Sequence, residues 1–236
     1  LITGGVEYRR LGLVVTDEQH RFGVGQRAAL AGKGENPHTL VMSATPIPRT
    51  LALILYGDLD VSVIDQLPPG RRPVQTSFVN GSYHPRIYQF LRRLVGEGRQ
   101  AYIVCPQVSE SEEGGDDRKA VTEYAAKLQK EVFPDLRVAY VHGKMKPKEK
   151  DAVMAAFAAR ETDILVSTTV IEVGVDVPNA AVMVVENAER FGLSQLHQLR
   201  GRVGRGEWQS YCVLVSDNQN EETRRRLKVM VKTADG

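Results

Sequence analysis

Short apolar runs alternate with amphipathic segments along most of the chain, and this alternation constrains the fold more than any other feature. After residue 73 the apolar runs predict strands at 74–79, 101–105, 137–141, 163–167, 181–185 and 210–215. The segments between and after them predict helices at 86–95, 119–132, 147–160, 193–199 and 221–232. Apolar strands separated by helices are typical of right-handed βαβ units. The sequence therefore predicts a parallel α/β domain of roughly 165 residues.

A proline-rich stretch, Leu67–Pro73, precedes this domain and predicts a boundary near residue 70. The section before it contains two further apolar runs, 11–16 and 39–42, and is too short for a domain of the same type. We interpret it as part of a sheet whose other strands lie upstream. The chain starts with Leu1 and not with Met, so we expect that it begins inside a longer reading frame or has been processed.

The composition limits the protein class and the type of partner. A hydrophobic content of 42% and a charged content of 25% are ordinary for a soluble globular protein. No apolar run is long enough to span a membrane, and no signal-peptide pattern opens the chain. Cys105 and Cys212 each lie in an apolar run, which favours a reducing, cytoplasmic compartment. The net charge of +2 implies that any nucleic acid would bind through local patches.

The segment Leu193–Gly206 has leucines at three-residue spacing followed by an arginine-rich end with three glycines. The leucines predict one packed helix face, which leaves Gln198 directed outward. Arg200, Arg202 and Arg205 lie where the helix gives way to flexible chain, and guanidinium groups there can bind phosphate oxygens in bidentate fashion. Taken alone, the run is explained equally well by a solvated basic helix end.

Polar groups follow both apolar runs of the first section. Asp17 and Glu18 come directly after the first run, and Ser43 comes after the second. Open α/β sheets place their chemistry at the carboxyl ends of strands. One carboxylate there can hold Mg²⁺ through water, and its neighbour can deprotonate an attacking water. A polar turn, and capping of the next helix by Ser43 and Thr45, explain the same residues without chemistry.

A third polar cluster, Ser167-Thr168-Thr169, ends the strand predicted at 163–167. Its hydroxyls and backbone N–H groups can hold a nucleic-acid phosphate, and Asp176 can accept hydrogen bonds from a ribose. Arginines from a second domain can neutralise charge on a transferring γ-phosphoryl group. Each of these motifs is weak by itself, but their order and separations are together highly specific.

Six segments, which cover most of the chain, carry a family resemblance: VVTDEQHRFGVGQR (14–27), VMSATPIPRTLAL (41–53), YGDLDVSVIDQLPPGR (56–71), VHGKMKPKEKDAVMAAF (141–157), ILVSTTVIEVGVDVPNA (164–180) and ERFGLSQLHQLRGRVGRG (189–206). They resemble the superfamily 2 nucleic-acid helicases, and among these most closely the RecG family of translocases that remodel branched DNA. The transcription-repair coupling translocase shares much of this pattern, but the segments at 14–27 and 56–71 look more like RecG. The resemblance implies a C-terminal remnant of a first RecA-like domain over residues 1–70 and a second RecA-like domain over 71–236.

The resemblance also implies roles for residues of the first section. Asp17 would position Mg²⁺ through water, and Glu18 would activate the attacking water. His20, Ser43 and Thr45 would couple the state of the nucleotide to DNA.

In the second domain the resemblance implies contacts to both ligands. Thr168 would contact a DNA backbone phosphate, and Gly174 and Asp176 would lie near the nucleotide. Three side chains would reach the γ-phosphate, the two arginines as arginine fingers: Gln198, Arg202 and Arg205.

For the whole protein, the resemblance implies an ATP- and Mg²⁺-dependent DNA helicase that acts as a monomer on stalled forks and Holliday junctions in recombination and repair. Its N-terminal motor and wedge domains would belong to the same polypeptide. The sequence contains no G-x-x-x-x-G-K-[ST] phosphate loop, because Gly32-Lys33 lacks the upstream glycine and the following hydroxyl. We therefore expect this chain to be inactive alone.

Two other functions remain open from the sequence. The chain could be a non-catalytic nucleic-acid-binding module, in which case the basic residues of 224–232 would contribute to DNA contact. It could also be the motor portion of a transcription-repair coupling translocase that is directed by a protein partner.

Overall fold

The computed structural model describes these parts of the chain: residues 6–17, 29, 32–43, 60–64, 66, 68–106, 117–168 and 176–233. The chain divides into two compact units, one within Leu1–Val63 and one within Ile64–Asp235. The proline-rich stretch lies at the start of the second unit, where the Arg71 N–H donates to the Pro68 carbonyl at 3.1 Å. Gly70 has φ of +81°, as the third residue of a type II turn requires.

The described part of the first unit contains a two-stranded parallel sheet. Strand β1 (Leu13–Thr16) pairs with β2 (His38–Val41), which confirms both strands predicted from the apolar runs of this section. Side chains of β1 alternate, since Val14 is buried whereas Leu13 and Val15 are at least half exposed. Apolar side chains therefore lie on both faces of this strand, as is typical of parallel sheets.

The second unit is built on a six-stranded sheet in which all neighbouring strands are parallel. Its strands are β3 (Gln75–Val79), β4 (Gln100–Val104), β5 (Val138–Val141), β6 (Ile164–Ser167), β7 (Ala180–Val185) and β8 (Tyr211–Val215). Their order across the sheet is β3-β8-β7-β4-β6-β5. Every residue of β4, β6 and β7 is buried. The predicted parallel α/β architecture is confirmed.

Helices cover both faces of this sheet: α1 (His84–Gly96), α2 (Asp117–Lys127, continued by a π-helical turn at Leu128–Val132), α3 (Pro147–Ala158), α4 (Leu193–Arg200) and α5 (Glu221–Lys232). On one face, α1 and α2 form an apolar cluster that includes Leu91 and Ile103. On the other face, α3, α4 and α5 form a second cluster that includes Phe157, Leu196 and Tyr102. Adjacent residues of β4 thus contribute to opposite cores, as the period of a strand requires.

Local polar signals determine where α4 and α5 begin. The Asn220 side chain accepts hydrogen bonds from the N–H groups of Glu222 (2.9 Å) and Thr223 (3.2 Å), and this caps α5. At the start of α4, the Gln195 side chain accepts from the Gly192 N–H at 3.0 Å.

The five helices predicted after residue 73 are confirmed, with ends that differ by a few residues. The helix that Ser43 and Thr45 could cap, over residues 51–56, lies outside the described residues. In the part of the chain that the structure describes, none of the helices has the length and apolar content needed to cross a membrane.

Candidate functional site

The first unit brings Asp17 and Ser43 to the same edge of its sheet. Asp17 directly follows β1, and Ser43 lies two residues beyond the end of β2. Thr16 pairs with Val41, and the Met42 N–H donates to the Thr16 carbonyl at 2.8 Å. The carboxyl ends of the two parallel strands therefore lie side by side, and the Asp17 side chain is exposed there.

Four of the predicted site residues, Glu18, His20, Thr45 and Gly174, lie outside the described residues. Within the described ranges, no three His, Cys, Asp or Glu side chains group together as a metal site would require. An exposed single carboxylate such as Asp17 nevertheless suits Mg²⁺, because this ion keeps several waters and is held by one or two carboxylates together with substrate phosphates.

In the second unit, α4 ends in a loop that carries Arg202 and Arg205. The Gly201 N–H donates to the carbonyl of His197 at 3.0 Å and closes the helix. Gly204 has φ of +80°, and a Cβ at this position would lie 2.7 Å from Cγ2 of Val74. Both the backbone conformation and the space therefore require glycine at this turn between the two arginines.

Arg205 forms an ion pair with Asp176, in which Nη1 lies 3.4 Å from Oδ1. The Arg205 Nε–H also donates to the Gly201 carbonyl at 3.2 Å. The side chains are 32% and 49% exposed, and a pair of this exposure contributes little to stability. Asp176 precedes β7 and Arg205 precedes β8, so the pair lies at the amino edge of the sheet. An oriented, solvent-accessible guanidinium at this edge can bind an anion.

Tyr102, on strand β4, is affected by the charges of the arginine loop. Burial raises the pKa of Tyr102 to about 12; the charges of Arg202 and Arg205 oppose this increase, and the charge of Asp176 adds to it. The Tyr102 ring packs against Phe157 with centroids 4.9 Å apart. Arg202, Arg205 and Asp176 therefore lie within electrostatic range of one buried hydroxyl.

The other polar side chains of α4 differ in their surroundings. Gln198 is exposed. Arg200 is 6% exposed, and its Nη1 donates to the carbonyls of Met230 (3.0 Å) and Thr233 (2.7 Å) at the end of α5. Its Nη2 lies 2.9 Å from Nδ1 of His197. Arg200 thus satisfies helix-end carbonyls, and the interpretation of all three arginines as phosphate-binding groups is wrong for this residue.

Thr168 lies at the opposite, carboxyl edge of the sheet, directly after β6. Its side chain is 2% exposed, and its N–H donates to the Val141 carbonyl at 3.3 Å. The adjacent Ser167 hydroxyl is buried and has no hydrogen-bond partner among the described residues. The two groups of candidate residues, Thr168 and the Asp176–Arg205 pair, therefore lie at opposite edges of one sheet.

A buried polar cluster at the carboxyl edge was not predicted from the sequence. Glu186 follows β7 and is 8% exposed. Its carboxylate accepts a hydrogen bond from the Tyr124 hydroxyl at 2.9 Å, and both of its oxygens lie 3.0 Å from Nε2 of His84. Nδ1 of His84 lies 2.7 Å from the Gly81 carbonyl, which can only accept, so Nδ1 carries a hydrogen. The cluster joins α1, α2 and the end of β7.

This cluster also affects nearby titratable groups. Burial, with a further contribution from Glu186, raises the pKa of the Cys105 thiol to about 12. Burial and the same carboxylate raise the pKa of Tyr124. Cys105 is therefore a neutral thiol and not a reactive thiolate. The sequence feature that could have indicated the polar cluster around Glu186 was a single glutamate directly after the wholly apolar run 180–185.

Comparison with known proteins identifies the family to which this arrangement corresponds. The helicase conserved C-terminal domain family matches residues 86–207, a range that includes Thr168, Asp176 and the arginine loop. The chain is 58% identical to the ATP-dependent DNA helicase RecG of Synechocystis over 236 residues, which is 100% of this chain and 28% of that protein. It is 54% identical to the RecG of Thermotoga maritima, with 100% and 30% covered. The chain thus spans somewhat less than a third of the length of these relatives.

Solved structures give the same result. The structure of RecG bound to a three-way DNA junction superposes with a TM-score of 0.79 at 51% identity, and the match covers 100% of this chain and 30% of that one. The L327V variant of S. cerevisiae Dbp5 bound to RNA and ADP BeF3 superposes with a TM-score of 0.63 at 14% identity, and the match covers 96% of this chain and 58% of that one, which shows the shared fold. The resemblance to RecG-like superfamily 2 helicases inferred from the motifs is confirmed.

Proposed function

The chain belongs to the helicase conserved C-terminal domain family, and we propose that it is the second motor domain, with part of the first, of an ATP-driven translocase that remodels branched DNA. The boundary between the two motor domains is assigned near residue 70. The observation that carries this function is the Asp176–Arg205 pair at the amino edge of the sheet, next to Arg202. Its position suits a triphosphate that would bind there.

In this proposal, ATP binds with its ribose hydroxyls at Asp176 and its γ-phosphate near Arg202 and Arg205. The two guanidinium groups neutralise charge that develops on the transferring phosphoryl group. Support comes from the 3.4 Å contact, which orients Arg205 and leaves it accessible to an anion. Gln198, exposed on the same helix, contributes a further polar contact to the phosphate.

The first unit would supply the remaining groups for hydrolysis. Asp17 would hold Mg²⁺ through water, and Glu18 would deprotonate the attacking water. Bound Mg²⁺ would offset the negative charge of the phosphates. Support comes from the exposure of Asp17 at a strand end next to Ser43, which with His20 and Thr45 would transmit the state of the nucleotide. Gly174 would line the nucleotide site.

DNA would bind at the carboxyl edge of the second sheet, with a backbone phosphate at Thr168. Because Thr168 is 2% exposed, such a phosphate would have to lie directly against this edge of the sheet. We propose branched or forked DNA because the similar RecG structure was solved with a three-way junction. The complete protein would act in the cytoplasm as a monomer, with its other motor and wedge domains in the same polypeptide, and this chain alone would be inactive.

Replacing Arg205 with alanine in the complete protein tests this function. DNA-stimulated ATP hydrolysis should fall by roughly three to five orders of magnitude, the range known for arginine fingers. Nucleotide binding, followed with a fluorescent ATP analogue, should change little, because a transition-state contact contributes mainly to kcat. Arg224→Ala, an exposed arginine of α5, serves as the matched control and should retain turnover. Near-normal hydrolysis by the Arg205 variant would contradict the assignment.

A further inference from the structure

Trp208, the only tryptophan of the chain, lies close to the Asp176–Arg205 pair without belonging to any predicted site. Its side chain is 54% exposed. The guanidinium carbon of Arg99 lies 3.5 Å from the centroid of the indole ring, which is a close cation–π contact. The indole is therefore held at the surface with a cation against its ring.

Two short segments connect the ion pair to this indole. Arg205 and Trp208 lie three residues apart on one segment, and Asp176 and Asn179 lie three residues apart on the other. The ion pair joins the segments at one end. At the other end, Arg99 stacks on Trp208 while its Nη1 donates to Oδ1 of Asn179 at 3.1 Å.

The backbones of the two segments also approach each other between these ends. A Cβ on Gly206 would lie 2.6 Å from the carbonyl oxygen of Pro178, so only glycine permits the contact. At about 3.3–3.6 Å per residue, the Cα atoms of Arg205 and Trp208 are at most roughly 11 Å apart. The backbone positions that carry the indole and the proposed phosphate contact are therefore close together.

The cation that holds the indole is itself firmly placed. Asn179 is 8% exposed, and its Nδ2 donates to the Gly98 carbonyl at 2.9 Å and to Oε1 of Gln100 at 3.1 Å. Gln100 in turn donates to the Phe157 carbonyl at 2.6 Å. Because this network fixes Asn179 and Arg99, the ring is oriented before any ligand arrives, which lowers the entropic cost of binding.

We propose that Trp208 is the stacking platform for the purine base of ATP, with Arg99 as the residue that positions it. The inference rests on the proposed function, because it takes the ribose to lie at Asp176 and the γ-phosphate at Arg205. A base attached to that ribose lies one nucleoside length from the phosphates, and a flat π-system of this size stacks favourably on an indole. The other exposed aromatic rings of the second unit, Tyr83 and Tyr140, lie towards the carboxyl edge.

Three variants of the complete protein test the proposal: Trp208→Ala, Trp208→Leu and Trp208→Phe. With saturating forked DNA, the alanine and leucine variants should raise the KM for ATP by roughly 5- to 150-fold, consistent with the known effect of losing one base–aromatic stack, and leave kcat nearly unchanged. The phenylalanine variant should recover most of this loss, because it keeps an aromatic face. The ratio of the KM for CTP to the KM for ATP should fall in the alanine and leucine variants, because a purine stacks on an indole over a larger area than a pyrimidine does.

Tyr83→Ala is the matched control, since Tyr83 is 42% exposed and also has a guanidinium over its ring, that of Arg86 at 5.5 Å. It should leave the KM for ATP unchanged. An unchanged KM in Trp208→Ala, with an active wild-type protein, would overturn the inference and leave the proposed function intact. A weaker apparent affinity for DNA without a change in KM would also overturn it, in favour of a nucleic-acid contact. A wild-type protein without DNA-stimulated hydrolysis would overturn the proposed function, and this inference with it.

Discussion

Replacing Glu186 with alanine removes the acceptor that Tyr124 and His84 share. The contacts of this carboxylate allow the loss in the free energy of unfolding to be worked out. The Tyr124 hydroxyl would lose its 2.9 Å bond to the carboxylate in a partly buried position. It would keep only a long contact of 3.4 Å to the Tyr88 hydroxyl, and losing the charged acceptor from this position costs about 1–3 kcal/mol. The contact with His84, whose side chain is 29% exposed, contributes about 0.2–1 kcal/mol. The variant should therefore lose roughly 1–4 kcal/mol of its free energy of unfolding.

Urea unfolding of the chain, followed by the fluorescence of Trp208, measures this loss in the second unit. A loss of about 2.5 kcal/mol would also lower Tm by about 5–10 °C in a unit of this size. Glu186→Gln is the matched control, because its amide oxygen still accepts from Tyr124, and it should cost clearly less. A double-mutant cycle with Tyr124→Phe isolates the contact, since the two substitutions should not be additive.

Two results would refute this reasoning. One is a loss below about 0.5 kcal/mol in Glu186→Ala, which is typical of an unremarkable surface substitution. The other is strict additivity of Glu186→Ala and Tyr124→Phe, which would show that the two side chains do not interact energetically.

Two further predictions concern the arginine loop and the pH dependence of stability. Gly204→Ala should lower the free energy of unfolding by about 1–3 kcal/mol and reduce ATP hydrolysis by the complete protein, because φ of +80° and the 2.7 Å approach to Val74 both disfavour a Cβ. Thermal unfolding measures the first effect and turnover the second. A variant unchanged in both would contradict the prediction. Raising the pH from about 9 towards 12 should lower the free energy of unfolding. Burial raises the pKa of Cys105, Cys212 and Tyr102 to about 12, from ordinary values of 9.0, 9.0 and 10.0. The unfolded chain therefore loses these protons at a lower pH than the folded chain, which favours unfolding as the pH rises. Urea titrations across this range test the sign, and constant stability up to pH 11 would show that the groups are not buried as described.

The elements of the second unit were predictable because their signals are local. Apolar runs predicted all six strands, and the segments between and after them predicted all five helices. The order of the strands was not predicted, since it depends on pairings between distant residues, such as that of β3 with β8. Next to this pairing, the Gln209 side chain donates to the Pro73 carbonyl, and these two residues are 136 positions apart. Periodicity carries no information about contacts at that range.

The candidate site was predictable by residue type but not by environment. Arg200, Arg202 and Arg205 are equivalent in the sequence, yet the first is buried against α5 and the third is paired with Asp176. The helical position of Arg200 decides this difference, and it becomes visible only once α5 is packed against α4. Glu186 and His84 are 102 positions apart, so their contact had no sequence signature.

The pairing of β3 with β8 has a consequence for how the protein is made on the ribosome. Strand β3 lies at the sheet edge, and its hydrogen-bonding neighbour β8 is the last strand of this sheet along the described part of the chain. At about 5–20 residues per second, β3 must wait on the order of ten seconds before Tyr211–Val215 has been translated. During that interval β3 and one side of β7 have unpaired backbone groups, which are templates for intermolecular pairing. The nascent chain should therefore depend on chaperones until its last strand is complete, and products truncated before Tyr211 should aggregate.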